Sequence, residues 1–215
     1  MIYTDTIIFD LDGTLLNTLD DLREAANYAL RECGYPERSQ EEIRNFIGNG
    51  VEMLIRRAVP EGVPEDKIQE CLAIFKIYYL HNSDNHTRAY DGITELLQIL
   101  KKKGFKIGIL SNKFDRAVKK LCEDYFFGLY DTAVGESPDV AKKPSADGVN
   151  KIIKELGADK SKTVLIGDSE TDVETAKNAG IYFLGVLWGY RDEQTLTEAG
   201  AKEFVNSPKM LEYIL

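Results

Sequence analysis

The chain has 215 residues, with 27 Lys plus Arg against 36 Asp plus Glu, a formal net charge of −9. That length allows one large or two small domains with a real core, and 43% apolar with 29% charged residues excludes disorder. No apolar run approaches the roughly 20 residues of a spanning helix, and the acidic excess opposes nucleic-acid binding, which rests on Lys and Arg. The expected partner is therefore a small molecule, with no nucleic acid and no membrane. Cys33, Cys71 and Cys122 form no C-x-x-C and have no paired His, which predicts free, mostly buried thiols. Met1-Ile2-Tyr3-Thr4-Asp5 lacks the basic segment and long apolar stretch of a secretory signal, so the expected location is cytoplasmic.

Thr6-Ile7-Ile8-Phe9 reads as a buried strand that stops at Asp10-Leu11-Asp12-Gly13-Thr14. From Leu19 to Cys33 the apolar residues recur at helical spacing until Gly34 and Pro36 close the run. Ser39 with Glu42 is a capping-box signature for a second helix, which Gly48-Asn49-Gly50 interrupts before the period resumes at Val51. Pro64-Glu65-Asp66 opens a further helix with Ile68, Cys71, Leu72, Phe75 and Tyr79 on one face.

After Tyr90-Asp91-Gly92 the grammar becomes alternating. Helices are predicted at 93–103, 114–125, 146–156 and 172–179, and strands at 105–110, 132–134, 163–166 and 182–187, followed by two short terminal segments. Alternation of this kind implies a doubly wound parallel sheet, an α/β core with helices on both faces. The helical block is an insertion: residues 1–17 and 86–215 form the core domain, and 18–85 a helical cap domain, with hinges near Leu16-Asn17-Thr18 and Asn82 to Thr87.

Sites in open parallel sheets form outside the carboxyl ends of the strands. Here those ends carry Asp10-Leu11-Asp12-Gly13-Thr14, Ser111-Asn112-Lys113 and Gly167-Asp168-Ser169-Glu170-Thr171-Asp172, with Lys142-Lys143-Pro144 before an intervening helix. Carboxylates that converge from separate strands need a positive charge among them, and an all-oxygen set without His or Cys suits a hard ion such as Mg²⁺. Magnesium favours a phosphate ligand. An aspartate is ionised at neutral pH and needs no activating base to attack phosphorus. Asp12, two residues after Asp10, projects to the same side of an extended segment and is placed for proton transfer.

Phe9-Asp10-Leu11-Asp12-Gly13-Thr14-Leu15, Ser111-Asn112-Lys113, Lys143-Pro144 and Gly167-Asp168 with Asp172 follow one another at strand ends over nearly the whole chain. In this the chain resembles the haloacid dehalogenase superfamily, and within it is most similar to phosphoglycolate phosphatases. The resemblance implies Asp10 as nucleophile, Asp12 as general acid and base, and Ser111, the Asn112 backbone N–H and Lys143 as holders of the phosphoryl oxygens. Lys143 is preferred to Lys142 because it directly precedes Pro144. The resemblance also implies Mg²⁺ on Asp10, the Asp12 carbonyl and Asp168, with Ser169 and Asp172 orienting its waters.

The insertion resembles the family's α-helical cap, in which Gly48-Asn49-Gly50 and one of the adjacent Arg56 and Arg57, taken as Arg56, would bind substrate. A plain inter-helix turn is the competing reading of that loop. Trp188-Gly189-Tyr190-Arg191 is similar to the same subgroup, although it also reads as a solvated loop, and His81 and His86 read as surface or hinge residues. The implied function is a Mg²⁺-dependent phosphatase of small phosphomonoesters working through an aspartyl phosphate, as a monomer or weak homodimer. The alternatives are an inorganic pyrophosphatase or phosphosugar mutase of the same superfamily. An aspartate-phosphorylated receiver-like signalling module is too small to contain the insertion. A dehalogenase has no use for Asp12.

Overall fold

In the computed structural model, which describes residues 4–215, strand β1 (Thr6–Phe9) is buried along its whole length. Met1, Ile2 and Tyr3, the start of the expected core segment, lie outside the described residues. β1 is central in a six-stranded parallel sheet with β4 (Lys106–Phe114), β5 (Thr132–Glu136), β6 (Thr163–Gly167), β7 (Tyr182–Val186) and β8 (Phe204–Val205), in the order β5-β4-β1-β6-β7-β8. The short strands β2 (Leu16–Asn17) and β3 (Arg88–Ala89) form a separate two-stranded ribbon.

The period-2 geometry of a strand explains why β1 is apolar without alternation: both of its faces are covered. Ile7 and Phe9 join the cluster that includes Leu96, Leu97 and Leu100 of α5 (Ile93–Lys102) and Val118 and Leu121 of α6 (Asp115–Phe126). Ile8 joins the opposite cluster with Val149 and Ile152 of α7 (Asp147–Leu156) and Ala176 and Ala179 of α8 (Glu170–Ala179). At about 1.5–3 kcal/mol for each fully buried aliphatic or Phe side chain, these residues anchor the strand whose end carries Asp10. The terminal segments are α9 (Glu193–Ala199), β8 and α10 (Pro208–Ile214).

By its internal contacts the chain divides into two compact units. One holds the chain through Asn17 together with Ala89–Leu215, and the other is Thr18–Arg88. The return lies later than the sequence-based boundary at 86, for a local reason. The backbone N–H groups of His86 and Thr87 donate to the buried carboxylate of Asp21 at 2.8–3.1 Å, which ties them to the first helix of the second unit.

That unit contains α1 (Leu19–Glu32), α2 (Gln40–Phe46), α3 (Val51–Ala58) and α4 (Glu65–His81). Ser39 and Glu42 form the expected capping box at the start of α2, each side chain satisfying a backbone N–H of the other. α1 packs along α4 with Tyr28 stacked on Tyr78, ring centroids 4.1 Å apart. All three cysteines are free, and burial, then the neighbouring Cys33, pushes the Cys71 thiol up to about 12. No helix among the described residues is long and apolar enough to cross a membrane.

Candidate active site

β1 ends at Phe9, directly before Asp10, and its neighbours β4 and β6 end beside it, so Asp10, Asp168 and Asp172 are brought together although far apart in sequence. One carboxylate oxygen from each lies within 4.8 Å of the others, and all three residues are buried. The Lys143 ammonium stands among them, 2.5 Å from Asp10 Oδ1 and 2.6 Å from Asp172 Oδ1. Lys142 is half-buried and is not the lysine that meets Asp10.

The electrostatics follow from this crowding. Burial pushes the Asp10 carboxyl well above its ordinary range. Lys143 pulls it back, and Asp172, Asp168 and Asp12 push it up further. Asp168 is raised to about 7 by burial and then by Asp172, against the Tyr190 N–H, Lys143 and Arg191, which lower it. Burial alone would depress Lys143, yet the charges of Asp10 and Asp172 outweigh it and raise the ammonium above its ordinary range. One buried ammonium does not neutralise three buried carboxylates. An all-oxygen donor set with unbalanced negative charge fits a hard divalent cation.

The three acids are not equivalent. Asp172 is already engaged through both oxygens: Oδ1 by Lys143, and Oδ2 by the Ser169 N–H at 3.1 Å and hydroxyl at 2.7 Å in the capping box of α8. Asp168 accepts from the Thr14 hydroxyl at 3.2 Å and from the Tyr190 N–H at 2.6 Å. A Cβ on Gly13, whose φ is +92°, would stand 2.3 Å from Asp168 Oδ2, and one on Gly189 2.3 Å from Asp168 Cβ. The Trp188 indole N–H donates to the Thr14 carbonyl at 3.0 Å. The 188–191 segment, which the sequence left between loop and function, thus packs around Asp168.

β4 does not stop at Leu110 as its apolar run suggested but continues to Phe114, because β5 pairs with it there, with a register shift between Leu110 and Phe114. Ser111, Asn112 and Lys113 therefore sit in the strand, with alternate side chains on opposite sides. The Ser111 hydroxyl donates to Asp12 Oδ2 at 3.1 Å, and Lys113 Nζ is 2.9 Å from Asp12 Oδ1. Asn112 instead clamps the backbone of Lys143. Its amide donates to the Lys143 carbonyl at 3.0 Å and its oxygen accepts from the Lys143 N–H at 2.6 Å. Sequence reasoning gave Lys113 and Thr14 no role; a lysine directly following the strand-end Ser-Asn was the available signal for the first.

In the helical unit, Gly48 (φ +117°) and Gly50 (φ +84°) adopt backbone that other residues rarely take, and Gly50 caps α3. Arg56, the arginine expected to meet substrate, is engaged inside the unit. Its guanidinium is bound by both oxygens of Glu65 at 2.6 and 2.8 Å and by Glu52 at 3.1 Å, so its charge is already taken within the unit. Arg57 is the arginine of this loop, donating to the Phe46 carbonyl at 2.9 Å and to Asn49 Oδ1 at 2.8 Å. His86 is exposed, as expected of a surface or hinge residue. Its Nε2 lies 3.5 Å from Glu24 Oε2, and with Asp21 these groups form a second cluster. The Asp21 oxygens there are occupied by the strap of backbone N–H groups at 86 and 87.

Comparison with known proteins agrees with this geometry. The family model described as haloacid dehalogenase-like hydrolase matches residues 7–186. A phosphoglycolate phosphatase of Aquifex aeolicus is 37% identical over 86% of this chain and 85% of its own length. One from Vibrio parahaemolyticus is 31% identical over 93% and 90%. A crystal structure from Lactobacillus delbrueckii subsp. bulgaricus, provisionally assigned as a phosphoglycolate phosphatase, superposes with a TM-score of 0.94 at 34% identity, covering 100% of this chain and 98% of that one. With its strand-end acids and lysine in this arrangement, the chain belongs to the haloacid dehalogenase-like hydrolases and is an enzyme similar to their phosphoglycolate phosphatases.

Proposed function

We propose that the chain is a Mg²⁺-dependent phosphatase of small phosphomonoesters, phosphoglycolate among them, that works through an aspartyl phosphate on Asp10. The observation that carries this reading is the buried trio of Asp10, Asp168 and Asp172 around a single lysine, Lys143. Asp10 and Asp168, with the Asp12 carbonyl, are the residues that would hold the ion, because the oxygens of Asp172 are already engaged by Lys143 and Ser169. When bound, Mg²⁺ supplies charge that orients a phosphate and offsets its oxygens.

Asp10 attacks phosphorus, the ester P–O bond breaks, and Asp12 gives a proton to the leaving oxygen. Asp12 then takes a proton from the water that attacks the acyl phosphate, so inorganic phosphate leaves and both acids return to their starting states. Lys143, Ser111 and the Asn112 N–H hold phosphoryl oxygens, and the clamp of Asn112 on Lys143 fixes that ammonium. The Gly48 to Gly50 loop, whose amides open α3 and whose Asn49 is held by Arg57, offers N–H groups suited to a carboxylate such as a substrate's tail. The enzyme acts as a cytoplasmic monomer or weak homodimer.

The test is turnover of a panel of phosphomonoesters, pyrophosphate and sugar phosphates, with Mg²⁺ and after chelation, for the native chain and Asp10→Asn. The expected result is Mg²⁺-dependent release of phosphate from small esters that Asp10→Asn abolishes. Preference for pyrophosphate, or interconversion of sugar phosphates, would replace the phosphatase reading.

A further inference from the structure

Lys113 is a buried lysine that the proposed reaction leaves without a task. Its side chain is 2% exposed, and its ammonium lies 2.9 Å from Asp12 Oδ1 while the Ser111 hydroxyl donates to Asp12 Oδ2. Lys113 and Ser111 are two residues apart in β4 and so share one side of it. The Ser111 oxygen also accepts from the Lys113 N–H at 3.1 Å, which fixes the two residues relative to each other. A buried ammonium is costly unless paired. We propose that Lys113 is a positioning residue for Asp12, holding its carboxylate in the orientation from which it gives and takes the reaction's proton.

This inference rests on the reading of Asp12 as general acid and base. A carboxylate has about four lone-pair sites, so the bonds from Lys113 and Ser111 do not by themselves use up its capacity to accept a proton. Asp10, in contrast, is held by Lys143, so the two lysines serve the two aspartates separately. Removing Lys113 takes away one of the anchors that orient the Asp12 carboxylate, while Asp10 and Lys143 keep each other. Proton transfer suffers and phosphoryl binding does not.

The experiment compares kcat/KM for ethyl phosphate, whose leaving alkoxide needs a proton, with p-nitrophenyl phosphate, whose phenolate leaves without one. The holoenzyme is measured as the native chain, Asp12→Asn, Lys113→Met and the double variant. Asp12→Asn should lose on the order of 10²-fold or more on ethyl phosphate and far less on the nitrophenyl ester. Lys113→Met should show the same selectivity, with a loss at least about tenfold greater on ethyl phosphate, and should add nothing to Asp12→Asn.

If Lys113→Met does not fold, Lys113→Arg, which keeps the charge but displaces it, carries the same comparison. A selective loss there supports the proposal, and an equal or absent loss overturns it. Selectivity in Asp12→Asn with none in the Lys113 variants overturns the positioning role alone. Equal losses on both esters for Asp12→Asn overturn the Asp12 reading, and the role of Lys113 with it.

Discussion

Asp168 illustrates how one side chain links charge to stability. Its carboxyl titrates near 3.9 when unfolded and is raised to about 7 in the folded chain by burial and by Asp172. Between those values the folded state binds the extra proton, so this group makes the metal-free chain lose stability as pH rises from about 4 to about 7. Asp10, also raised, acts in the same direction, while Lys143, raised by its acidic neighbours, favours the folded state throughout that range. Mg²⁺ competes with those protons. At about 100 times its Kd it should add about 2.7 kcal/mol to stability, and the gain in melting temperature over a chelated sample should be larger at pH 8 than at pH 5. A gain that is equal at both, or absent, would remove the ion from these carboxylates. Asp10 and Asp12 are separable at the same scale. With acetyl phosphate, whose leaving group needs little protonation, Asp12→Asn should accumulate phosphoenzyme that is absent from Asp10→Asn. Mass spectrometry finding phosphate on another residue would reassign the nucleophile.

The carboxyl end of β4 is where the strand turns backbone pairing into site geometry. By alternation it sends Ser111 and Lys113 toward Asp12 and leaves Asn112 to grip Lys143. Asn112→Ala removes two hydrogen bonds and strands a buried backbone N–H and carbonyl, so it should cost about 1–3 kcal/mol in urea unfolding with an unchanged m-value. It should also slow phosphoryl transfer by loosening Lys143. Full stability and full activity would show that the clamp is dispensable. The strand's length was not legible in the chain, because residues beyond Leu110 are polar and only pairing with β5 keeps them extended. Asp10, Asp168, Asp172 and Lys143 were legible, since each follows an apolar run whose end is marked or stands beside a proline. The partners of Arg56 were not. Glu52 lies one turn away at i−4, but Glu65 belongs to the next helix, and only packing decides that it takes the guanidinium.

At the scale of the whole chain, which divides into two units, the proposed function puts the reacting groups in one and substrate choice in the other, so substitutions in 18–88 should change which ester is preferred without changing how it is cleaved. Arg56 is held by Glu65 and Glu52, so Arg56→Ala should lower kcat/KM on phosphoglycolate and p-nitrophenyl phosphate by the same small factor. Arg57 and Gly50 border the loop itself. Arg57→Ala releases Asn49 and the Phe46 carbonyl, and Gly50→Val forces a branched side chain onto φ +84°. Each should therefore cut kcat/KM for carboxylate-bearing esters by roughly 1.5–3 kcal/mol, the usual worth of a hydrogen bond to a charged group. The nitrophenyl ester, which has no carboxylate to lose, should be nearly unaffected because its phosphate still meets Asp10 and Lys143. Kinetics on both esters with all three variants decides among the possibilities. Selective loss at Arg57 and Gly50 with none at Arg56 places recognition in the loop. Selective loss at Arg56 would mean that its ion pair with Glu65 opens for substrate. Equal loss at all three would reduce the loop to a support for the helical unit.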